Sequence, residues 1–303
     1  MSVIQTLSMI LPLYSIAAIG FVSAKYFDVK ANSIAKLLIY IITPIITFYG
    51  ATSIDLASSS LLLPFLFFFL CSTIALASLV INKIFYKDSP IKNLLAFTSG
   101  TGNTGYFGLP VILAVLGQEA FNIAIMSVIG FVIYENTLGF FLVAKGKFSV
   151  KASMQKVAKL PTIYAFIFGL MLNYLQIPIS VEPIITIFKG GYSMLGLMVI
   201  GIVIAKTGSR CFDWKMACIA LGFKFIFWPL VTLLIITLDK GTLNLFNSQT
   251  QLVMLFMSIV PLAANTVALA TEFGLEESKI GLIVAVSNIG PILMIPAAAQ
   301  YFI

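Results

Sequence analysis

Ser99-Gly100-Thr101-Gly102-Asn103-Thr104-Gly105-Tyr106-Phe107-Gly108-Leu109-Pro110 is the stretch on which the fold turns. Glycines, a proline and small hydroxyl residues interrupt the middle of the apolar run 92–117. Glycine and proline both disfavour a helix interior, and proline also removes a backbone donor. Such backbone survives at membrane depth only where protein or a water-filled cavity satisfies it. A second interruption, Pro261-Leu262-Ala263-Ala264-Asn265-Thr266, falls inside the apolar run 249–273. A kink in one helix is commonplace, because glycine and proline are frequent in transmembrane helices. Two interruptions at corresponding places in two halves, each with an asparagine, point instead to a transporter's binding site.

Composition supports the membrane reading. The 303 residues are 60% hydrophobic and 10% charged, with a mean hydropathy of +1.07. A soluble domain carries about 25% charged residues, so this chain lacks the charge to cover a water-facing surface. Apolar runs lie at about 4–24, 32–52, 60–82, 92–117, 120–144, 160–176, 183–206, 214–238, 249–273 and 278–302. The first has no basic leader and no small-residue cleavage site, so it reads as a retained helix. The net charge of +7 is no nucleic-acid signal, because the lysines sit in short loops between apolar runs. With no histidine, a histidine metal site or a Ser/His/Asp triad is excluded. The three cysteines show no CxxC spacing and read as packing residues. No metal or other cofactor is expected.

Orientation follows from the lysines. The odd-numbered loops carry Lys25, Lys30 and Lys36, then Lys83, Lys87 and Lys92, then Lys145, Lys147, Lys151, Lys156 and Lys159, then Lys206, Arg210 and Lys215, and Lys279. The even loops hold little beyond Asp55, Glu119, Glu182, Asp239 and Lys240. The positive-inside rule then puts both termini on the extracytoplasmic side. Superposing Gly117 of LGQEAF on Gly274 of FGLEES lays the fourth run on the ninth and the fifth on the tenth. Five crossings per half would insert the second half upside down, giving residues 1–150 and 151–303 as inverted repeats within one membrane unit.

A broken helix leaves unpaired N–H groups at the start of its second half. Pro110 and Pro261 suit the first turn of such a half-helix. The fourth and ninth runs cross in opposite senses, so two partial positive ends would meet at the midplane, a ready anion site. Asn103 and Asn265 add amide groups without fixed charge. The expected site is therefore Asn103, Thr104, Gly105, Gly108, Pro110, Pro261, Asn265 and Thr266.

At these residues the chain resembles the auxin efflux carrier family. Asn103-Thr104-x-x-x-Gly108-x-Pro110 is similar to that family's first crossover, and Pro261 to Gly274 to its second. The resemblance implies an all-α polytopic fold of ten helices in two inverted five-helix repeats with crossed broken helices, as in bile-acid symporters and sodium–proton antiporters. It also implies carboxylate transport, of auxin in plant members and of malate or malonate in some bacterial ones. The short fifth loop is similar to that of compact bacterial members, which implies a bacterial plasma membrane.

Three ionisable residues lie well inside apolar runs: Glu135, Lys189 and Lys224. A charge at the bilayer centre costs at least about 3 kcal/mol and is a functional candidate. Lys189 is near enough to an end to snorkel. Glu135 and Lys224 share a depth of roughly 15 Å at 1.5 Å per residue, and read either as an ion pair or as a coupling site. The expected function is secondary transport of a small organic anion by alternating access, with a proton or sodium as the open choices of coupling ion. A sodium-coupled symporter of the bile-acid type and a non-transporting sensor are the alternatives, and a homodimer stays open. Intramembrane proteases need HExxH or a pair of membrane aspartates, and neither motif is present.

Overall fold

A computed structural model of the chain describes residues 3–52, 62–179, 182–206 and 212–302, and every regular element in them is helical. Asp55, Arg210 and Cys211 lie outside the described residues. The helices are α1 (Val3–Phe27), α2 (Ala31–Leu37), α3 (Thr43–Thr52), α4 (Leu62–Phe85), α5 (Ile91–Gly100), α6 (Leu109–Tyr134), α7 (Phe140–Lys145) and α8 (Val150–Ala158). There follow α9 (Pro161–Tyr174), α10 (Glu182–Lys206), α11 (Trp214–Gly222), α12 (Trp228–Gly241), α13 (Ser248–Ser258), α14 (Asn265–Phe273), α15 (Glu277–Ser287) and α16 (Ile289–Phe302). Short π-helical turns join several of them: Leu38–Ile42, Thr104–Gly108, Glu135–Gly139 and Phe223–Phe227.

Among the described residues, five helical runs are long and apolar enough to cross a bilayer, and a sixth is added by the bent pair Val150–Lys156 and Pro161–Tyr174. The run Ile91–Lys145, at 55 residues, is too long for one crossing. At 1.5 Å per residue it would reach about 80 Å, against a hydrocarbon core of about 30 Å. Its two ends meet, because the Asn93 amide donates to the Leu142 carbonyl at 2.9 Å. The chain therefore doubles back, and it does so at Gly117, whose φ of 85° and ψ of −175° break the helix. The ninth apolar run falls below the length needed because its break leaves two helices of 11 and 9 residues, α13 and α14.

The exterior is apolar and part of the interior is polar, the reverse of a soluble protein. On α4, Phe65, Phe69, Leu76, Val80 and Ile84 are exposed, while Phe67, Cys71 and Ile74 are fully buried. Inside, the Asn82 amide donates to the Ser78 hydroxyl at 3.0 Å, and that hydroxyl donates to Ser99 at 2.8 Å. The second of these joins α4 to α5, and such interhelical bonds contribute about 0.6 kcal/mol each in membranes.

The lysine-bearing loops gather at one end. Lys206 pairs with Asp28 at 3.3 Å. Lys215 donates to the Phe85 carbonyl at 3.3 Å, and Lys147 to the Gly274 carbonyl at 3.1 Å. The loops that carry few lysines meet one another elsewhere. Asn173 donates to the Ala51 carbonyl at 2.9 Å. The Gln249 amide, turned so that its nitrogen faces the carboxylate, donates to Glu119 at 2.8 and 3.1 Å.

Candidate functional site

The first break begins where α5 ends at Gly100. Thr101 is fully extended, at φ −127° and ψ −179°, so the helical ladder stops there. Asn103 then turns the chain at φ −75° and ψ 60°, and its carbonyl accepts the Gly108 N–H at 2.9 Å. Helical backbone thus restarts at Thr104 through the π-turn, six residues before Pro110. Pro110 sits one residue into α6, well past the break.

In the second break α13 ends at Ser258 and α14 begins at Asn265. The expectation that Pro261 opens the second half-helix does not hold, since it lies four positions before that start. Pro261 instead joins the two breaks: its carbonyl accepts the Asn103 N–H at 2.8 Å. Within the same segment the Leu262 N–H donates to the Ser287 hydroxyl at 3.0 Å. Asn265 itself occupies the helix start that the sequence assigned to the proline.

Both half-helix starts line one small pocket, with Asn103, Thr104, Gly105 and Tyr106 from the first break and Ala263, Ala264 and Asn265 from the second. Its volume is about 10 Å³, room for a single water-sized group. The Glu135 carboxylate also lines it. One carboxylate oxygen accepts from the Thr101 hydroxyl, and the other accepts from the Asn265 amide at 2.7 Å. Asn265 in turn accepts from the Tyr106 hydroxyl at 3.3 Å. One carboxylate is thus held by donors from both breaks, where two helix N-termini favour negative charge.

Lys224 lies elsewhere around the same crossover. It is fully buried, and its ammonium makes no hydrogen bond among the described residues. Its Nζ lies 4.8 Å from the Trp228 ring centre and 2.5 Å from the point where a Cβ on Gly102 would stand. No ion pair joins it to Glu135 among the described residues, so the pairing reading is not realised in this structure. The reason is local: Thr101 is extended, and successive residues of an extended chain face opposite ways. Thr101 turns towards Glu135, and Gly102 turns towards Lys224. Both charged residues sit in π-helical turns, Glu135–Gly139 and Phe223–Phe227, a feature frequent at functional sites.

Of the expected site residues, Asn103 is 3% exposed, and neither its amide nitrogen nor its amide oxygen has a partner among the described residues. The same holds for the buried Thr266 hydroxyl. Gly105 gives room for Tyr192, whose ring packs 4.1 Å from that of Tyr106 between centres. Gly108 packs near Val260 and Met257 of the second broken run. Thr101, Tyr106 and Tyr192 escaped the sequence reading. The first two lie within the glycine-rich stretch itself, whereas nothing in the sequence marks Tyr192.

A larger cavity of about 510 Å³ adjoins the small pocket, sharing Gly105, Val128, Val132 and Tyr192 with it. Its lining is mainly apolar, and Lys189 is the charged residue in it. The Lys189 ammonium lies 4.9 Å from the centre of the Tyr49 ring. Gln118, beside the turn at Gly117, also lines the cavity, so it extends from the few-lysine end towards the crossover.

Residues 6–298 match the protein family described as "Membrane transport protein". A protein of Methanocaldococcus jannaschii described as an uncharacterized transporter is 27% identical over 295 residues, which cover 91% of this chain and 92% of the relative.

Proposed function

This chain belongs to the membrane transport protein family, a family of transporters and not of enzymes, and from that premise we propose that it carries small organic anions by alternating access. The substrate is a carboxylate held where the two broken helices cross, as the resemblance to the auxin efflux carriers implies. The observation that carries this reading is the coordination of Glu135. Thr101 and Asn265, one from each break, together hold a carboxylate at the two half-helix N-termini. A site built that way accepts the carboxylate of a substrate by the same chemistry. Asn103, buried and with no side-chain partner among the described residues, supplies a further amide to the ligand. In this conformation the pocket is too small for an organic acid, so binding requires Glu135 to withdraw. A proton taken up by Glu135 removes its charge and gives proton coupling a route.

The ten-helix inverted repeat, with halves 1–150 and 151–303, is part of this proposal. Two features support it. Gly117 and Gly274, matched by the superposition, are the two glycines with positive φ among the described residues. Close helix pairing also repeats. A Cβ at Gly20 or Gly201 would strike the backbone of the partner helix in the α1–α10 pair, and one at Gly169 would do so between α9 and α3. In an inverted repeat those pairs, first with seventh and sixth with second, are symmetry mates. The large cavity reaches the few-lysine end, which the positive-inside rule makes extracytoplasmic together with both termini.

Uptake of labelled mono- and dicarboxylates into proteoliposomes tests the carrier reading. Saturable uptake whose apparent affinity falls about tenfold in Asn103→Ala is the expected result. Binding without uptake would make the protein a sensor, and neither binding nor uptake would remove the reading altogether. Orientation is tested with an impermeant thiol reagent on cysteines at Lys151 and Lys240, both exposed. Lys240 is a better position than Asp239, whose buried carboxylate accepts from the Leu245 and Phe246 N–H groups. Labelling from outside the cell should reach position 240 and spare 151.

A further inference from the structure

A cation is expected wherever helix C-termini converge, because the last carbonyls of a helix carry partial negative charge. In carriers with broken helices, coupling cations sit at such half-helix C-terminal ends and on the unwound carbonyls beside them. Here α5 ends at Gly100 and α13 ends at Ser258. Two residues beyond each end come Gly102 and Val260, and these two residues meet: a Cβ on Gly102 would lie 2.9 Å from the Val260 side chain. At that same point stands the Lys224 ammonium, at 2.5 Å from the Cβ position.

The ammonium is fully buried and has no hydrogen-bond acceptor among the described residues. Glu135 is not within ion-pairing distance of it. Its neighbours include Gly102, Cys71 and the face of Trp228, whose indole N–H is itself committed to the Ser99 carbonyl at 2.7 Å in the last turn of α5. The indole face attracts a cation, most strongly in a dry site. A buried charge without an ion pair is strongly unfavourable, so its retention at this junction needs a cause. The two helix ends and the indole face supply one.

We infer that the Lys224 ammonium is the crossover's built-in cation, occupying the place a monovalent coupling cation would otherwise take, so that the protein works without sodium. The inference deepens the carrier reading by deciding against a sodium-coupled symporter. It uses only the crossover geometry and can be tested without knowing the substrate.

The test is the melting temperature of the purified protein in sodium, potassium and choline chloride at equal ionic strength. The wild-type protein should melt within about 1 °C in all three salts. Lys224→Gln, which removes the charge and leaves a polar side chain, should open the place to an added ion. In sodium it should melt about 5 °C or more above its value in choline, once the salt exceeds its dissociation constant a hundredfold. A sodium-dependent rise in the wild-type protein would overturn the inference. So would a variant that melts alike in every salt, or one that cannot be recovered folded in any of them. Absence of carboxylate uptake by the wild-type protein would defeat the proposed function and leave these melting results standing.

Discussion

On one face of the extended link Thr101-Gly102 the protein holds a carboxylate, and on the other an ammonium. Glu135 is gripped by donors from both breaks, while Lys224 has no hydrogen-bond partner among the described residues and rests against Gly102 and Trp228. The contrast follows from the direction of the helices. Half-helices start at Thr104 and Asn265, and both starts line the pocket that holds Glu135; half-helices end at Gly100 and Ser258, and Gly102, two residues beyond the first of those ends, lies beside Lys224 and packs near Val260, two beyond the second. The two opposite charges are thus placed separately, Glu135 nearer the helix starts, which favour negative charge, and Lys224 nearer the helix ends, which favour positive charge.

Reversing either charge attacks this contrast most directly. Lys224→Glu and Glu135→Lys each place the wrong sign at two converging helix ends and leave it unpaired. A loss of about 3–5 kcal/mol is expected for each, enough to prevent recovery of folded protein. The check is the yield of monodisperse protein and its melting temperature. A Lys224→Glu variant that melts like the wild type would end the assignment of opposite polarities to the two faces.

Neutralisation is the next largest test, because it separates two independent sites from one ion pair. Glu135→Gln, Lys224→Met and the double variant should lose stability additively, within about 0.5 kcal/mol. A direct pair would make the double variant more stable than the worse single one, since both charges would leave together. That result, read from chemical or thermal unfolding, would restore the ion pair.

The sequence made one coordinate of this arrangement legible and hid another. Counting residues from the span ends put Glu135 and Lys224 at a common depth, and adjacent residues of one link, Thr101 and Gly102, do receive them. Depth says nothing of direction around the crossover. Direction depends on the extended dihedrals of Thr101 and on the π-turns at Glu135–Gly139 and Phe223–Phe227, each of which shifts the side chains that follow. No residue pattern announces a π-turn. The breaks themselves were legible because glycine and proline act locally. The place of Pro261 was misjudged because a proline suits a helix start and an irregular link equally well. Lysine counting anticipated the gathering of the odd loops, through contacts such as Lys206 with Asp28 and Lys147 with Gly274. Tyr192 was invisible, since it reaches the site from α10 only through the packing of that helix on the first break.

The two asparagines sharpen the comparison within the Glu135 face. Asn265 donates to a carboxylate, and a hydrogen bond to a charged group contributes about 1.5–3 kcal/mol. Asn265→Ala should therefore lower both melting temperature and affinity. Asn103 has no side-chain partner to lose among the described residues, and its N–H bond to Pro261 survives substitution. Asn103→Ala should leave stability within about 0.5 kcal/mol of wild type and weaken carboxylate binding about tenfold. Ligand titration and melting on the same samples read both quantities. Equal stability losses in the two variants would mean that Asn103 supports the fold and not the ligand.

The smallest expected effect tests whether contact or mere proximity defines the site. Thr101 and Thr137 carry the same side chain and both lie close to Glu135, one across the crossover and one two residues along its helix. The Thr101 hydroxyl donates to the carboxylate, whereas the Thr137 hydroxyl donates to the Ile133 carbonyl of its own helix at 2.6 Å. A bond back to the fourth preceding carbonyl adds little, because that carbonyl already serves the helix ladder. Valine at either position keeps the shape and removes only the hydroxyl. Thr101→Val takes away one of the two donors that hold Glu135, so the apparent affinity for a competing carboxylate should change severalfold and the pH profile of uptake should shift. Thr137→Val should alter neither by more than about twofold, with stability within about 0.5 kcal/mol of wild type. Uptake measured across pH for the two variants side by side decides the matter. An effect at Thr137 as large as at Thr101 would show that the π-turn carrying Glu135, and not the donors of the crossed breaks, governs the carboxylate, and the polarity of this face would then need another source.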